Sequence, residues 1–212
     1  MRPTLRLAFA CVAGALLALP AAAQEEYSAD QIRELFERQR ALFNEAEESG
    51  LGQTRGLKLV TIEDVEAGSE EAAAAEDGAA GGGSVSVSDP NRPLTYGQLD
   101  EDLQINLRIE FGFDSAALSE SEEPKLQAMC DALRTSSVEL VQIVGHTDSA
   151  GSDEYNERLS VLRAEEVARY LTEECGIAPA RLKPMGLGER FPLNENEPRA
   201  DENRRVEFQA LS

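Results

Sequence analysis

A chain of 212 residues with a formal net charge of −20 has room for one domain of ordinary size and a smaller segment. That charge excludes a field-driven nucleic-acid binder and a basic membrane-surface protein. Hydrophobic residues make up 42% of the chain, aromatic residues 5%, and tryptophan is absent, which predicts a tail or linker that adds little to a core.

Residues 1–23, MRPTLRLAFACVAGALLALPAAA, have the three-part form of a secretory leader: Arg2 and Arg6, an apolar run from Leu7 to Leu19, and small residues ahead of Gln24. The run is short for a membrane span, and Cys11 falls inside the segment to be removed. Export is the expectation. Cys130 and Cys175 then remain as an even pair in an oxidising compartment, where a disulfide is expected and two buried thiols are the alternative. With one histidine elsewhere in the chain, the cysteines have no metal-ligand spacing.

Between residues 27 and 48, Ile32, Leu35, Phe36, Leu42 and Phe43 recur at helical spacing, with Ser28 as the N-cap and Gly50 as the stop. So short an amphipathic helix does not stand alone. It docks, either on its own domain or on an envelope protein partner. GLKLVTIED, at 56–64, reads as a strand with no partner evident. The stretch that follows is rich in Gly, Ala, Ser and acid and lacks the apolar content to offset ordering entropy. The expected organisation is a leader at 1–23, a helix-bearing region at 24–65, an acidic Ala/Gly-rich linker at 66–93 and a domain at 94–212.

Within the domain, Leu103, Ile105, Leu107, Ile109, Phe111 and Phe113 alternate with polar residues, as in a strand buried on one face. Ser119 or Ser121 is placed to cap a helix carrying Leu126, Met129, Cys130 and Leu133. VELVQIV, at 138–144, is apolar on both faces, as in a strand covered on both sides. Ser152 caps a second helix whose core stripe is read as Tyr155, Leu159, Leu162, Val167, Tyr170 and Leu171, with Gly176 as its stop. Residues 181–187 form a strand weakened by Pro184, and Val206, Phe208 and Ala210 alternate in a last one. The βαβαββ order predicts a two-layer α/β sandwich, with helices on one face of a mixed sheet.

Chemistry concentrates where the second strand ends, at Gly145-His146-Thr147-Asp148, and runs into the second helix. Backbone N–H groups converge at such a loop. Asn156, Ser160 and Arg163 share one helical face, so Asp148 and Arg163 approach from two sides. A carboxylate and a guanidinium across a gap match a zwitterion. The alternative is that the two side chains pair with each other and clamp the loop. One histidine, without a second ligand cluster or a GxSxG elbow, argues against an enzyme.

GHTDSAGSDEYNERLSVLRAEEVARYL, followed by GIAPARLKPMGLGERFPL and ENRRVEF, resembles the OmpA-like C-terminal domain, a family of peptidoglycan-binding modules. The resemblance covers roughly residues 94–212, and FGFDSAALS fits the family's opening strand. It implies a wall-associated periplasmic protein, peripheral to the outer membrane, that needs no cofactor or metal and no nucleic acid. The family's Asp and Arg, which hold the free end of meso-diaminopimelate in the stem peptide, fall on Asp148 and Arg163. Thr147, Asn156, Leu159, Phe113 and Asp114 are similar to positions lining the same groove. Arg204 and Arg205 match terminal arginines expected to brace the site. The competing expectation is an envelope protein-interaction module whose domain does not bind the wall.

Overall fold

The computed structural model of the chain describes residues 27–49, 53–61, 95–109, 111 and 116–212. The leader expected at 1–23, the linker expected at 66–93, and Phe113 and Asp114 lie outside those residues. In chain order the elements are α1 (Ala29–Ser49), β1 (Gln53–Thr54), β2 (Leu57–Thr61), β3 (Thr95–Leu99), β4 (Ile105–Leu107), α2 (Glu123–Thr135), β5 (Val141–Gly145), α3 (Asp153–Glu173), β6 (Leu182–Gly186) and β7 (Val206–Ala210).

Four strands make a mixed sheet in the order β4-β7-β5-β6, with β5 and β6 parallel and β7 antiparallel to both of its neighbours. Alternation divides the sheet into two faces. One face, with Ile105, Val141, Ile143, Val206 and Phe208, packs on Leu126, Met129 and Leu133 of α2 and on Ala164, Val167 and Leu171 of α3. This is the expected βαβαββ unit with both helices on one face. Pro184 sits in β6, at the edge of the sheet, where a missing N–H costs least.

Strand β4 is shorter than the alternation predicts, because its partner runs out. Leu107 lies opposite Val206, the first residue of β7, so the ladder with β7 ends there, and beyond it Phe111 bridges to Leu118 instead. At the other end, α1 takes over the edge of β7 through a single side chain. Gln39 Nε2 donates to Leu103 O (2.8 Å) and Phe208 O (3.3 Å), and its Oε1 accepts from Ala210 N–H (2.8 Å).

The face away from the helices is also covered. β1, β2 and β3 form a second, antiparallel sheet, so the strand predicted at 56–64 pairs with residues 95–99. TYGQL has no alternation to announce it. Gln209 Nε2 donates to Gly97 O (2.6 Å) while Gly97 N–H donates to Gln209 Oε1 (3.2 Å), and Gln142 Nε2 donates to Thr95 O (3.1 Å). A Cβ at position 97 would overlap the Phe43 ring of α1, so only glycine permits this approach. Covered by helices on one side and β3 on the other, β5 is buried at every residue.

Helix α1 starts on a capping box: Gln31 N–H donates to Ser28 Oγ (3.3 Å) and Ser28 N–H to Gln31 Oε1 (2.8 Å). Its apolar stripe docks on its own chain. Ile32 and Phe36 join the main core, and Phe43 and Ala46 form a second cluster with Leu57, Leu99, Leu103 and Leu211.

Two local expectations are corrected. Neither Ser119 nor Ser121 caps α2; the N-cap position is Glu122, without a side-chain cap, because Ser119 O instead accepts from Glu122 N–H in a turn just before the helix. In α3, Leu162 is 52% exposed, Tyr155 and Leu159 are half-buried, and Asn156, Ser160 and Arg163 are buried in their place. Close packing decides this. A Cβ at Gly145 would overlap the Ser160 carbonyl, so α3 meets β5 at a small side chain, whose Oγ accepts from Gly188 N–H (2.9 Å).

Candidate functional site

The loop after β5 is pinned by backbone bonds to three other segments. His146 N–H donates to Arg205 O (2.9 Å), Thr147 N–H to Gly188 O (2.9 Å) and Ser149 N–H to Pro198 O (3.0 Å). Asp148, which is 9% exposed, is oriented from within the loop, its Oδ1 accepting from Ala150 N–H (2.9 Å). Its Oδ2 accepts from Arg204 Nη1 (2.5 Å), and Arg204 Nη2 stands 2.7 Å from Asp201 Oδ1. Asn156, near the start of α3, ties helix to loop by donating to Asp148 O (3.2 Å) and Glu189 Oε2 (2.5 Å). Ser152 caps α3 as expected, accepting from Tyr155 N–H (3.3 Å).

Arg163 comes from two turns further along α3. It is 8% exposed, its guanidinium carbon lies 4.9 Å from the centroid of the Phe111 ring, and its buried Nε has no hydrogen-bond partner among the described residues. Burial lowers its pKa; Tyr155 and Asp148 work against that shift and Arg204 adds to it. Arg163 lines a cavity of about 280 Å³ together with Arg108, Ile109, Phe111, Asp201 and Arg204.

Asp148 and Arg163 therefore do not form the mutual ion pair; the partner of Asp148 is Arg204. Thr147 is buried beside them, with an Oγ1 that has no partner among the described residues. Leu159 is half-buried on α3. Phe113 and Asp114 lie outside the described residues. The two terminal arginines part company. Arg204 lines the cavity, while Arg205 is enclosed and donates through Nε to Asn106 Oδ1 (3.0 Å) and through Nη1 to Phe191 O (3.3 Å).

Beneath the loop lies a buried polar layer between the main sheet and β3. His146 Nε2 stands 3.3 Å from Glu207 Oε2, and the same carboxylate oxygen accepts from Tyr96 Oη (3.0 Å), while Gln209 Nε2 donates to Glu207 Oε1 (2.7 Å). The guanidinium of Arg205 is 3.7 Å from Glu207. Behind the site, Cys130 of α2 and Cys175, just past α3, form the expected disulfide with their Cα atoms 5.5 Å apart.

Four participants escaped the sequence reading. Arg108 reads as the outward residue of a strand and Phe111 as core; beyond the end of β4 at Leu107 both line the cavity, with Phe111 still packed against the core. Asp201 and Glu189 lie in turns with no pattern to mark them. Among the described residues no group of three or more His, Cys, Asp or Glu side chains is arranged to hold a metal ion, and no helix is long and apolar enough to cross a membrane.

A family model described as the OmpA family matches residues 110–205. Outer membrane porin F of Pseudomonas fluorescens is 34% identical over 107 residues, 50% of this chain and 32% of that protein. The peptidoglycan-associated lipoprotein of Legionella pneumophila is 35% identical over 100 residues, 46% of this chain and 56% of that protein. The chain thus spans less than two thirds of the length of either relative. Among solved structures, the peptidoglycan-associated lipoprotein from Burkholderia pseudomallei is 31% identical, with a TM-score of 0.42 over 48% of this chain and 86% of that one.

Proposed function

Because residues 110–205 of this chain are a domain of the OmpA family, we propose that it binds peptidoglycan without a covalent bond and without catalysis, holding the free end of a meso-diaminopimelate side chain between Asp148 and Arg163. The ligand's ammonium goes to Asp148 and its carboxylate to Arg163. In this reading the chain is exported behind the leader at 1–23 and works in the periplasm, with residues 94–212 on the wall. The relatives whose names place them in the outer membrane and on peptidoglycan support that setting.

One observation carries the proposal: a desolvated guanidinium, stacked on Phe111 and without a carboxylate partner among the described residues, faces a cavity also lined by Arg204, whose own partner is Asp148. A buried cation left unpaired is costly, and an incoming carboxylate removes that cost. Arg204 makes Asp148 available. When an ammonium takes Asp148, Arg204 keeps Asp201 as a counter-charge, so no cation is stranded. Charge-assisted bonds contribute about 1.5–3 kcal/mol each, and after the cost of association a single stem peptide is held at micromolar to millimolar strength, on the order of −4 to −8 kcal/mol. A polymer presenting many stems raises the apparent affinity.

Co-sedimentation with cell walls tests this. The protein is expected to pellet with diaminopimelate-type walls and to stay in solution with lysine-type walls, which lack the second carboxylate. Asp148→Asn and Arg163→Gln should each weaken pelleting by about tenfold or more, equivalent to ~1.4 kcal/mol, with unchanged circular dichroism. Wild-type pelleting by both variants would overturn the proposal.

A further inference from the structure

Arg108, Arg163 and Arg204 line the same cavity of about 280 Å³, and among the described residues the lining holds one carboxylate, Asp201. Arg204 is matched twice, by Asp148 and Asp201. Arg163 is more than nine-tenths buried, and its Nε is enclosed without a partner among the described residues. The side chain of Arg108 is half-buried, and no ion pair or hydrogen bond reaches its guanidinium from the described residues. In a chain whose formal net charge is −20, two cations unmatched among the described residues and facing one space run against the composition. Like charges sharing a poorly solvated space repel each other, and each loses part of its hydration. A monoanion neutralises one of them and leaves the other; a ligand with two anionic groups matches both.

Resting on the wall-binding reading above, we infer that Arg108 receives a second carboxylate of the stem peptide and so selects among stems that all carry diaminopimelate. Arg163 takes the diaminopimelate carboxylate from the α3 side. Arg108, on the chain leaving β4, lines the same cavity and reaches a carboxylate further along the peptide. Two carboxylates qualify by chemistry: the α-carboxylate of the γ-linked glutamate that precedes diaminopimelate, and the free C-terminus of the peptide.

The test is calorimetry on the full chain with a soluble stem tetrapeptide and two analogues, one amidated at the glutamate α-carboxylate and one at the C-terminus. Wild-type protein is expected to lose about tenfold in affinity for one analogue and little for the other, which identifies the carboxylate. Arg108→Gln should lose the same factor for the parent peptide and nothing more for that analogue, the signature of a shared contact in a double-mutant cycle. Arg108→Lys, which keeps the charge without the two-pronged geometry, should recover part of the loss. If Arg108→Gln binds all three peptides as wild type does, or weakens all three by one common factor, this inference falls while capture by Asp148 and Arg163 stands. If wild-type protein binds none of the three, both fall together.

Discussion

His146 stands two residues before Asp148 and is sealed from water by β3 on one side and β7 on the other. Burial holds its imidazole down to about 4, with Arg205 adding to the effect and Glu207 opposing it. In the unfolded chain the ring titrates near its ordinary 6.5. Between those values the unfolded state binds a proton that the native state refuses, so stability rises with pH. The contribution of neutral His146 is therefore complete above pH 6.5 and is lost as the pH falls toward 4. Glu207 adds to acid sensitivity below the ordinary carboxylate range. Burial pushes its pKa up, but His146, Arg205 and Gln209 together bring it below its usual value, so protonating it in acid opposes the fold. Urea unfolding should show a loss of about 2 kcal/mol between pH 7 and pH 5 from His146 alone. His146→Gln should flatten that slope; equal slopes in the two proteins would refute the assignment.

At the scale of elements, three buried glutamines act as surrogate strands. Gln142 and Gln209 join β3 to the main sheet, and Gln39 closes the edge of β7 that β4 leaves open. Each places an amide where backbone groups would otherwise be buried without partners, a loss of roughly 1–3 kcal/mol per group. Gln39 serves three such groups. Replacing it by leucine, which fits the volume but offers no hydrogen bond, should destabilise the fold by at least ~3 kcal/mol, read from the shift in denaturation midpoint at constant slope. A shift worth less than ~1 kcal/mol would show that these backbone groups find water or other partners.

For the molecule as a whole, the Cys130–Cys175 bridge closes a loop with a sequence separation of 45. That loop contains β5, the Asp148 turn and the whole of α3, so the bridge limits how far the unfolded chain can separate the two halves of the site. Chain entropy gives such a cross-link about 4 kcal/mol, with 2–4 kcal/mol usual in practice. Reduction by a thiol should lower the melting temperature by about 10 °C. Wall binding at 25 °C should survive reduction, because neither sulfur faces the cavity. Identical melting of the oxidised and reduced proteins would contradict the stabilising role.

Much of this was legible in the sequence because it is written in local periods. Strict alternation at Val206, Phe208 and Ala210, the helical spacing of Leu126, Met129 and Leu133, and the cap at Ser152 each depend on residues a few positions apart, and together they determined the βαβαββ order and the loop that carries Asp148. Tertiary structure decided what depends on meetings across the chain. Glu207 and Gln209 read as the wet face of a strand and are 0% exposed, because β3, more than a hundred positions earlier, covers them. Leu162 reads as core and faces solvent, because glycine in β5 draws α3 in through Ser160. Asp148 pairs with Arg204, 56 positions away, and leaves Arg163 to the cavity. Charge and hydrogen-bond partners follow proximity in space, and a period of 2 or 3.6 residues does not encode it.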